Sequence, residues 1–336
     1  MDPGKVDRPF FERHIRPRLG ASRADVRLGP AHGADFGVID IGDRVLALAT
    51  DPLFVLRELG LERAAWFAFH IVVSDVALSG LDPTHLSVDV NLPPSTDPET
   101  FESIWEVFDR EARTLGASIV TGHTGAYAGS SFPTIGGATA LAVGSPEDLI
   151  LPTDAEPGDR VLITKGPAIE TTGVLAVVFG DEMDLPQRVI QAGRERFAEA
   201  SPVEDALTAA GAGPVTAMHD ATEGGVENAL LELAAASDVR LSISRDQIPV
   251  GAGVNEICEY VDVDPWTASS EGTVILTVEE SGVGEVLDAL EKAGIRSAAI
   301  GSVGTGTGVT IDGEQTEPPE QDPFWPAYER ARDRFG

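Results

Sequence analysis

The stretch Met218-His219-Asp220-Ala221-Thr222-Glu223-Gly224-Gly225-Val226 decides how this chain reads. An apolar, strand-like run (214–217) precedes it and a strongly helical one (228–236) follows. Strand, polar loop, paired glycines and helix, in that order, aim backbone N–H groups and the positive end of a helix dipole at an anion. Asp220 and Glu223 share the loop. A phosphate cradle with carboxylates beside it meets the needs of a magnesium–nucleotide complex, since Mg²⁺ takes one or two carboxylates plus phosphate oxygens. The same residues also read as a plain helix start, with Asp220 or Thr222 as N-cap and Glu223 in the first turn.

Working outward, the chain has 336 residues, a length that favours two domains, and 42% of them are hydrophobic, ample for real cores. Residues 1–20 are charged and broken by prolines, which predicts no secretory leader. The longest apolar run (64–78) is interrupted by His70 and Asp75, so no membrane span is expected and the location expected is cytoplasmic. The single cysteine, Cys258, excludes an internal disulfide and a cysteine-based metal site. The net charge is −31 with only three lysines (Lys5, Lys165, Lys292). Such a surface repels nucleic acid and anionic membrane. Its acid is spread along the whole chain, the pattern of a protein adapted to molar intracellular salt, where screening acts within roughly 3 Å. A halophilic archaeal source is the expectation.

Strand and helix patterns occur in both halves, which predicts an α/β fold with α+β mixed sheets. The expected organisation is a flexible lead-in over 1–30, an N-terminal domain over 31–147, a C-terminal α/β domain over 158–311 and a tail over 312–336. Strands are expected at 44–50, 86–90, 118–121, 134–143, 160–164, 239–243, 273–278 and 298–303. Helices are expected at 61–79, 99–115, over parts of 169–210, at 228–236, near Cys258 and at 283–293.

Other residues invite a chemical reading. Asp75 breaks an otherwise apolar helix, where a carboxylate is costly to bury unless paired or metal-bound, which favours a functional reading over that of one exposed helical position. Asp35 follows Gly33-Ala34, and Asp51 ends a hydrophobic strand before Pro52, a common turn. Gly122-His123-Thr124-Gly125 follows a strand, where glycines permit close approach to phosphate; His123 is a ligand, an acid/base or a surface histidine. Lys165 is one of few lysines and begins the second half. Glu271 precedes a strand and faces a cleft or merely flanks that strand. Cys258 reads as a small buried residue.

Taken together, these pieces resemble the aminoimidazole-ribonucleotide synthetase-like (PurM-like) superfamily, which includes thiamine-monophosphate kinase, selenophosphate synthetase and the hydrogenase-maturation E protein (HypE). The last is the nearest in pattern. Thr50-Asp51 is similar to that group's Thr-Asp after the first strand. Residues 74–83 (Ser-Asp-Val-Ala-Leu-Ser-Gly-Leu-Asp-Pro) resemble its Asn-Asp-Leu-Ala-Met-x-Gly-Ala-x-Pro. Residues 220–225 resemble its Asp-Pro-Thr-Arg-Gly-Gly, and Cys258-Glu259, Asp264-Pro265, Glu271-Gly272 and 299–303 follow in matching order.

The resemblance implies ATP and Mg²⁺ as cofactors and a homodimer whose N-terminal domains close a β-barrel beside the ATP cleft. It implies metal ligands at Asp51, Asp75, Asp220 and Glu223, with Asp35, also at a position that holds the Mg-nucleotide in these families, carried on a mobile lid. Gly122, Thr124, Gly224 and Gly225 would contact the nucleotide; outside the family pattern, His123 and His219 read as this chain's own catalytic signature and the rare Lys165 as a third catalytic group, with Glu271 facing an acceptor that is a small molecule or a protein tail. The sequence departs from the pattern in two places. It ends Arg332-Asp333-Arg334-Phe335-Gly336 rather than in the cysteine that carries the E protein's reacting group, and His123 stands where an aspartate is usual. The resulting expectation is a Mg-ATP-dependent enzyme that activates a carbonyl or amide oxygen by phosphoryl transfer, without the terminal-cysteine chemistry. A small-molecule kinase of the thiamine-monophosphate type and a non-catalytic ATP-binding scaffold are the alternatives.

Overall fold

The computed structural model describes residue 6 and residues 8–317 and 321–335; parts of the expected lead-in (1–5 and 7) and tail (318–320 and 336) lie outside the described residues. The chain divides into two compact units. One holds Asp25–Gly29 and Asp35–Leu149; the other holds Pro30–Ala34, the chain from Ile150 onward and the described residues up to Ala24.

The lead-in is more structured than its composition suggests. It carries a helical turn α1 (Arg8–Phe10), further turns at Phe11–Ile15 and Arg16–Arg18, and a strand, β1 (Val26–Leu28). That strand pairs antiparallel with β2 (Gly37–Ile41), and Arg27 bonds Asp40 across the pair. The sheet therefore begins before residue 31.

The rest of this unit comprises β3 (Arg44–Phe54), α2 (Leu61–Ala77), β4 (Pro83–Leu92), α3 (Pro98–Leu115), β5 (Ser118–Ala126) and β6 (Thr134–Gly144). Its sheet runs β1-β2-β3-β6-β4-β5. All pairs are antiparallel except β4–β5, joined through α3 as a parallel crossover. Alternate residues of β3 (Val45, Ala47, Ala49, Leu53) are buried, the period of a strand with one covered face. Helix α2 packs on β3 and buries Phe67, Val72 and Val76. The start of α3 is set by Asp97, whose carboxylate accepts from the Thr100 N–H at 2.7 Å, with Pro98 at its first position; Gly116 at φ 71° ends it. His70 of α2 lies 3.4 Å from Glu111 of α3, both nearly buried, and this contact holds the Glu111 carboxyl below its ordinary range. His70 thus ties two helices together.

The second unit comprises β7 (Arg160–Thr164), α4 (Ile169–Phe179), α5 (Gln187–Phe197), α6 (Val203–Ala212), β8 (Val215–Asp220), α7 (Gly225–Ala236), β9 (Arg240–Ile243), α8 (Val254–Tyr260), β10 (Val274–Val278), α9 (Val283–Lys292) and β11 (Ser297–Gly304). Past the last strand expected from the sequence come two more, β12 (Gly308–Ile311) and β13 (Glu314–Thr316), and a final helix α10 (Phe324–Phe335). Asp312 and Gly313, both at positive φ (52° and 87°), make the two-residue turn between β12 and β13. The sheet order is β13-β12-β9-β11-β7-β10-β8. Its core joins Val226, Leu230 and Leu233 of α7 to Leu241, Ile275 and Ile300 of the sheet. The architecture is mixed α/β with two sheets, as the sequence predicts. Among the described residues, no helix is long and apolar enough to cross a membrane.

Candidate functional site

In the second unit, β8 is an edge strand paired with β10, and its last residue, Asp220, stands opposite Val274. The chain then turns: Ala221 N–H donates to the Thr273 carbonyl, and the Gly225 N–H to that of Thr222. Gly224 (φ 78°) and Gly225 (φ 63°) both adopt left-handed backbone and open α7. At Gly225 the requirement is also steric, because a Cβ would lie 2.6 Å from the Ala268 carbonyl oxygen and 2.7 Å from that of Trp266. The strand–glycine turn–helix unit expected from 218–226 is present, and its first backbone donor is engaged by an anion. The Gly224 N–H donates to the Asp322 carboxylate at 2.7 Å.

His219 and Asp220 are each 1% exposed. His219 is not on the glycine loop, where its sequence neighbours suggested it; it lies inside β8, paired with Ile275. Its Nδ1 is 2.7 Å from the Asp220 carbonyl oxygen, which can only accept, so Nδ1 carries the proton. Its Nε2 faces Glu232 Oε2 at 3.5 Å, and the other oxygen of Glu232 lies 3.9 Å from His32 Nε2. His32 and Glu232 had no signal in the sequence beyond Glu232 lying two helical turns after Gly225.

Lys165 is not free for chemistry. Its ammonium is 2.9 Å from Asp205 and donates to the carbonyls of Glu199, Ser201 and Gly272 at 2.8 to 3.1 Å. An ammonium has three N–H donors, and these oxygens use all of them. Lys165 is a strut that joins β7 to α6 and two loops, which corrects its reading as a catalytic group.

Glu271 is buried beside Glu170, whose Oε2 is 3.4 Å from the Glu271 backbone nitrogen and accepts a short bond from the Ser269 hydroxyl. Burial pushes the Glu170 carboxyl up to about 7, opposed by the Ser269 bond and reinforced by the nearby charges of Asp322 and Glu223. An acid whose folded pKa is raised stabilises the fold fully below its unfolded value of 4.5, and that contribution disappears as pH rises through 7. Glu170→Gln keeps an oxygen for Ser269 and removes the charge. It is expected to raise stability at pH 8 by on the order of 2 kcal/mol and to flatten the loss between pH 4.5 and 7. Denaturant melts of both proteins at pH 5 and pH 8 check this; an equal difference at the two pH values contradicts it.

In the first unit, Asp51 lies in β3 in step with Val45, Ala47, Ala49 and Leu53, on the face α2 covers, and Asp75 is a half-buried position of α2 itself. Asp35, half-buried, precedes β2. Gly122, His123 and Thr124 are not a loop: all three lie within β5, an edge strand exposed along most of its length. Gly122 serves strand contact rather than phosphate approach, since a Cβ there would sit 2.3 Å from the Val88 carbonyl oxygen. Asp51, Ala138, Val88 and Gly122 form one cross-strand row; Gly137, Asp89 and His123 form the next. Successive rows point to opposite faces, so His123 projects away from the face that holds Asp51. It bonds Tyr127 OH at 2.5 Å.

Residues 33–145 match the family model for the N-terminal domain of AIR synthase related proteins, and residues 156–314 match that for the C-terminal domain. The chain belongs to the AIR synthase related family. Its PurM-like architecture is shared with solved structures. Carbamoyl dehydratase HypE of Escherichia coli is 27% identical over 315 residues, 90% of this chain and 88% of that protein. A crystal structure of E. coli HypE superposes with a TM-score of 0.70 at 26% identity, covering 83% of this chain and 87% of the other. Thiamine-monophosphate kinase of Pyrococcus horikoshii is 26% identical over 289 residues, 84% of this chain and 86% of its own. A HypE solved in complex with ATP shares the fold, with a TM-score of 0.65 at 20% identity over 96% of this chain and 97% of that one.

Proposed function

We propose that this AIR synthase related protein is an ATP-dependent enzyme that activates a carbonyl or amide oxygen of an acceptor by phosphoryl transfer. The observation that carries the reading is the buried Asp220 at a strand end, followed by two left-handed glycines that open α7. Helix N-termini of this kind suit phosphate. Relatives that use or bind ATP add support: one HypE is solved with ATP, and the P. horikoshii relative is a kinase.

The donor set suits Mg²⁺. Asp220 and Glu223 at the glycine turn offer hard carboxylate oxygens of the kind Mg²⁺ takes, and Asp51 and Asp75, taken by themselves in the first unit, offer the same chemistry. Bound Mg²⁺ would supply charge neutralisation for the phosphates. The chain's own part is to hold a phosphate oxygen at the Gly224 N–H, with Gly225 letting the backbone turn there, and to keep water out through the burial around Asp220. The acceptor reading near Glu271 extends to Glu170 and Ser269. Cys258 does not serve as a thiol carrier: it is buried, and burial pushes it up to about 12, so it stays protonated. The protein is read as a homodimer, because β5 leaves an unpaired edge with Val120 57% and Tyr127 44% exposed.

A kinase whose phosphorylated product is released is the second reading, favoured by the P. horikoshii relative. ATP labelled in its γ-phosphate separates them. Offered small carboxamides and, separately, thiamine monophosphate, the first reading expects free phosphate to accumulate, and the second expects label in the acceptor. Sedimentation in molar KCl tests the dimer; a monomer at micromolar concentration contradicts it.

A further inference from the structure

Asp322 is far from α7 in sequence yet reaches its first turn. One carboxylate oxygen accepts from the Gly224 N–H at 2.7 Å and the other from the Phe324 N–H at 2.7 Å. Capping α10 needs only the second of these bonds. The first is made to another element, at the donor that would otherwise face a phosphate.

The segment carrying Asp322 is anchored by its own helix. Phe324 is 1% exposed, Ala327 packs with Ala168, Val254 and Cys258, and the Tyr328 ring lies 5.2 Å from that of Phe179. Arg330 donates to the Val261 carbonyl at 3.2 Å, and the Arg334 guanidinium sits over the Tyr260 ring. Apolar contacts thus hold α10 down while its leading carboxylate is delivered to the glycine turn. Glu223 and Glu170 are close enough to repel that carboxylate, and burial together with Glu223 raises its pKa. Its attraction to the Gly224, Phe324 and Ser269 backbone donors is set against two like charges, and release of the Gly224 donor relieves that repulsion.

We propose that the segment from Asp322 through α10 is an internal competitor for the glycine turn: Asp322 takes the Gly224 N–H in place of a phosphate group, and a phosphate-bearing ligand binds there as that carboxylate withdraws. This rests on the reading of Gly224-Gly225 as a phosphate cradle and adds its regulation. The ligand class is a nucleoside triphosphate or another phosphate ester. An acceptor with only a carboxylate would compete on equal terms with Asp322 and gain no advantage in charge.

The test uses the full chain in molar KCl. Mg-ATP is titrated by calorimetry into the wild type, Asp322→Ala and Asp322→Asn, and amide hydrogen exchange over 321–335 is followed with and without saturating Mg-ATP. Asp322→Ala should bind about tenfold more tightly, since it frees a donor from a charge-assisted bond. Asp322→Asn, which keeps the cap and the shape, should gain less and covers the case in which the alanine variant does not fold. Mg-ATP should speed exchange in α10 of the wild type. Equal affinities in all three proteins, with exchange in α10 unchanged by ATP, overturn the competitor and leave the nucleotide reading intact. Absence of Mg-ATP binding in all three folded proteins removes the nucleotide reading and the competitor with it.

Discussion

Asp220→Asn is expected to cost on the order of 100-fold in affinity for Mg-ATP while the protein remains folded. Asparagine has the shape of aspartate and keeps the strand-end position opposite Val274, so the β8–β10 pairing survives. What it loses is the anionic oxygen that a hard dication requires. Because Asp220 is 1% exposed, little water can substitute for the missing charge. Asp75→Asn in α2 is expected to act in the same direction. Glu280→Gln, a surface change at a side chain 71% exposed, is the control and should leave affinity unchanged. Calorimetric titration of the three variants, with circular dichroism to confirm folding, is the check. Affinity equal to wild type in Asp220→Asn contradicts its role as a metal ligand.

Transfer from molar KCl to dilute buffer is expected to unfold the protein. A net charge of −31 spread over 15360 Å² of accessible surface leaves about one unbalanced negative charge per 500 Å², a mean spacing near 20 Å. At 1 M salt the screening length is about 3 Å and neighbouring charges hardly interact; at about 0.01 M it is about 30 Å and each charge feels several others. Local pairs such as Lys165–Asp205 and Arg196–Glu199 cannot offset this, since only 24 lysines and arginines face 55 acids. Circular dichroism during dialysis should show loss of structure below a few tenths molar salt, restored by KCl but not by an equal osmolarity of sucrose. An unchanged, cooperative melt in dilute buffer would argue that the acid is not a salt adaptation.

Much of the fold was legible because periodicity carries it. The alternation through Val45, Ala47 and Ala49, the apolar face of α2, and the Asp97-Pro98 start with the Gly116 stop of α3 are local signals, each set by residues within a few positions of one another. The turn at Gly224-Gly225 was readable for the same reason. The glycines of 122–125 misled, since glycine after a strand suggests a loop, whereas at Gly122 it admits the neighbouring backbone at Val88 and the strand continues. The Asp312-Gly313 turn is a recognisable two-residue hairpin signal, but its flanking strands are too short and too polar to stand out, so the sequence predicts no strand at β12, at the end of the C-terminal domain, and β13 falls in the expected tail.

Side-chain partners at long sequence separation were not legible at all. Lys165 attracts notice by rarity, yet its partners come from residues 199–205 and 272. Asp322 at Gly224 joins positions 98 apart, and Glu170 meets Ser269 across 99. Nothing in a linear pattern encodes such contacts, because they follow from how strands are ordered in the sheet and from where α10 docks. The same holds for His123. Its position in sequence suggested a place among the acids, and the cross-strand register instead puts it on the face away from Asp51.

The most direct test of the account is calorimetric titration of ATP into the wild-type chain in molar KCl, once with Mg²⁺ and once with EDTA. The account predicts saturable binding of one ATP per chain that requires Mg²⁺. A chain that is folded by circular dichroism and gives no saturable heat with Mg²⁺ present would contradict it, and would mark the glycine turn as purely structural, with Asp322 its permanent occupant.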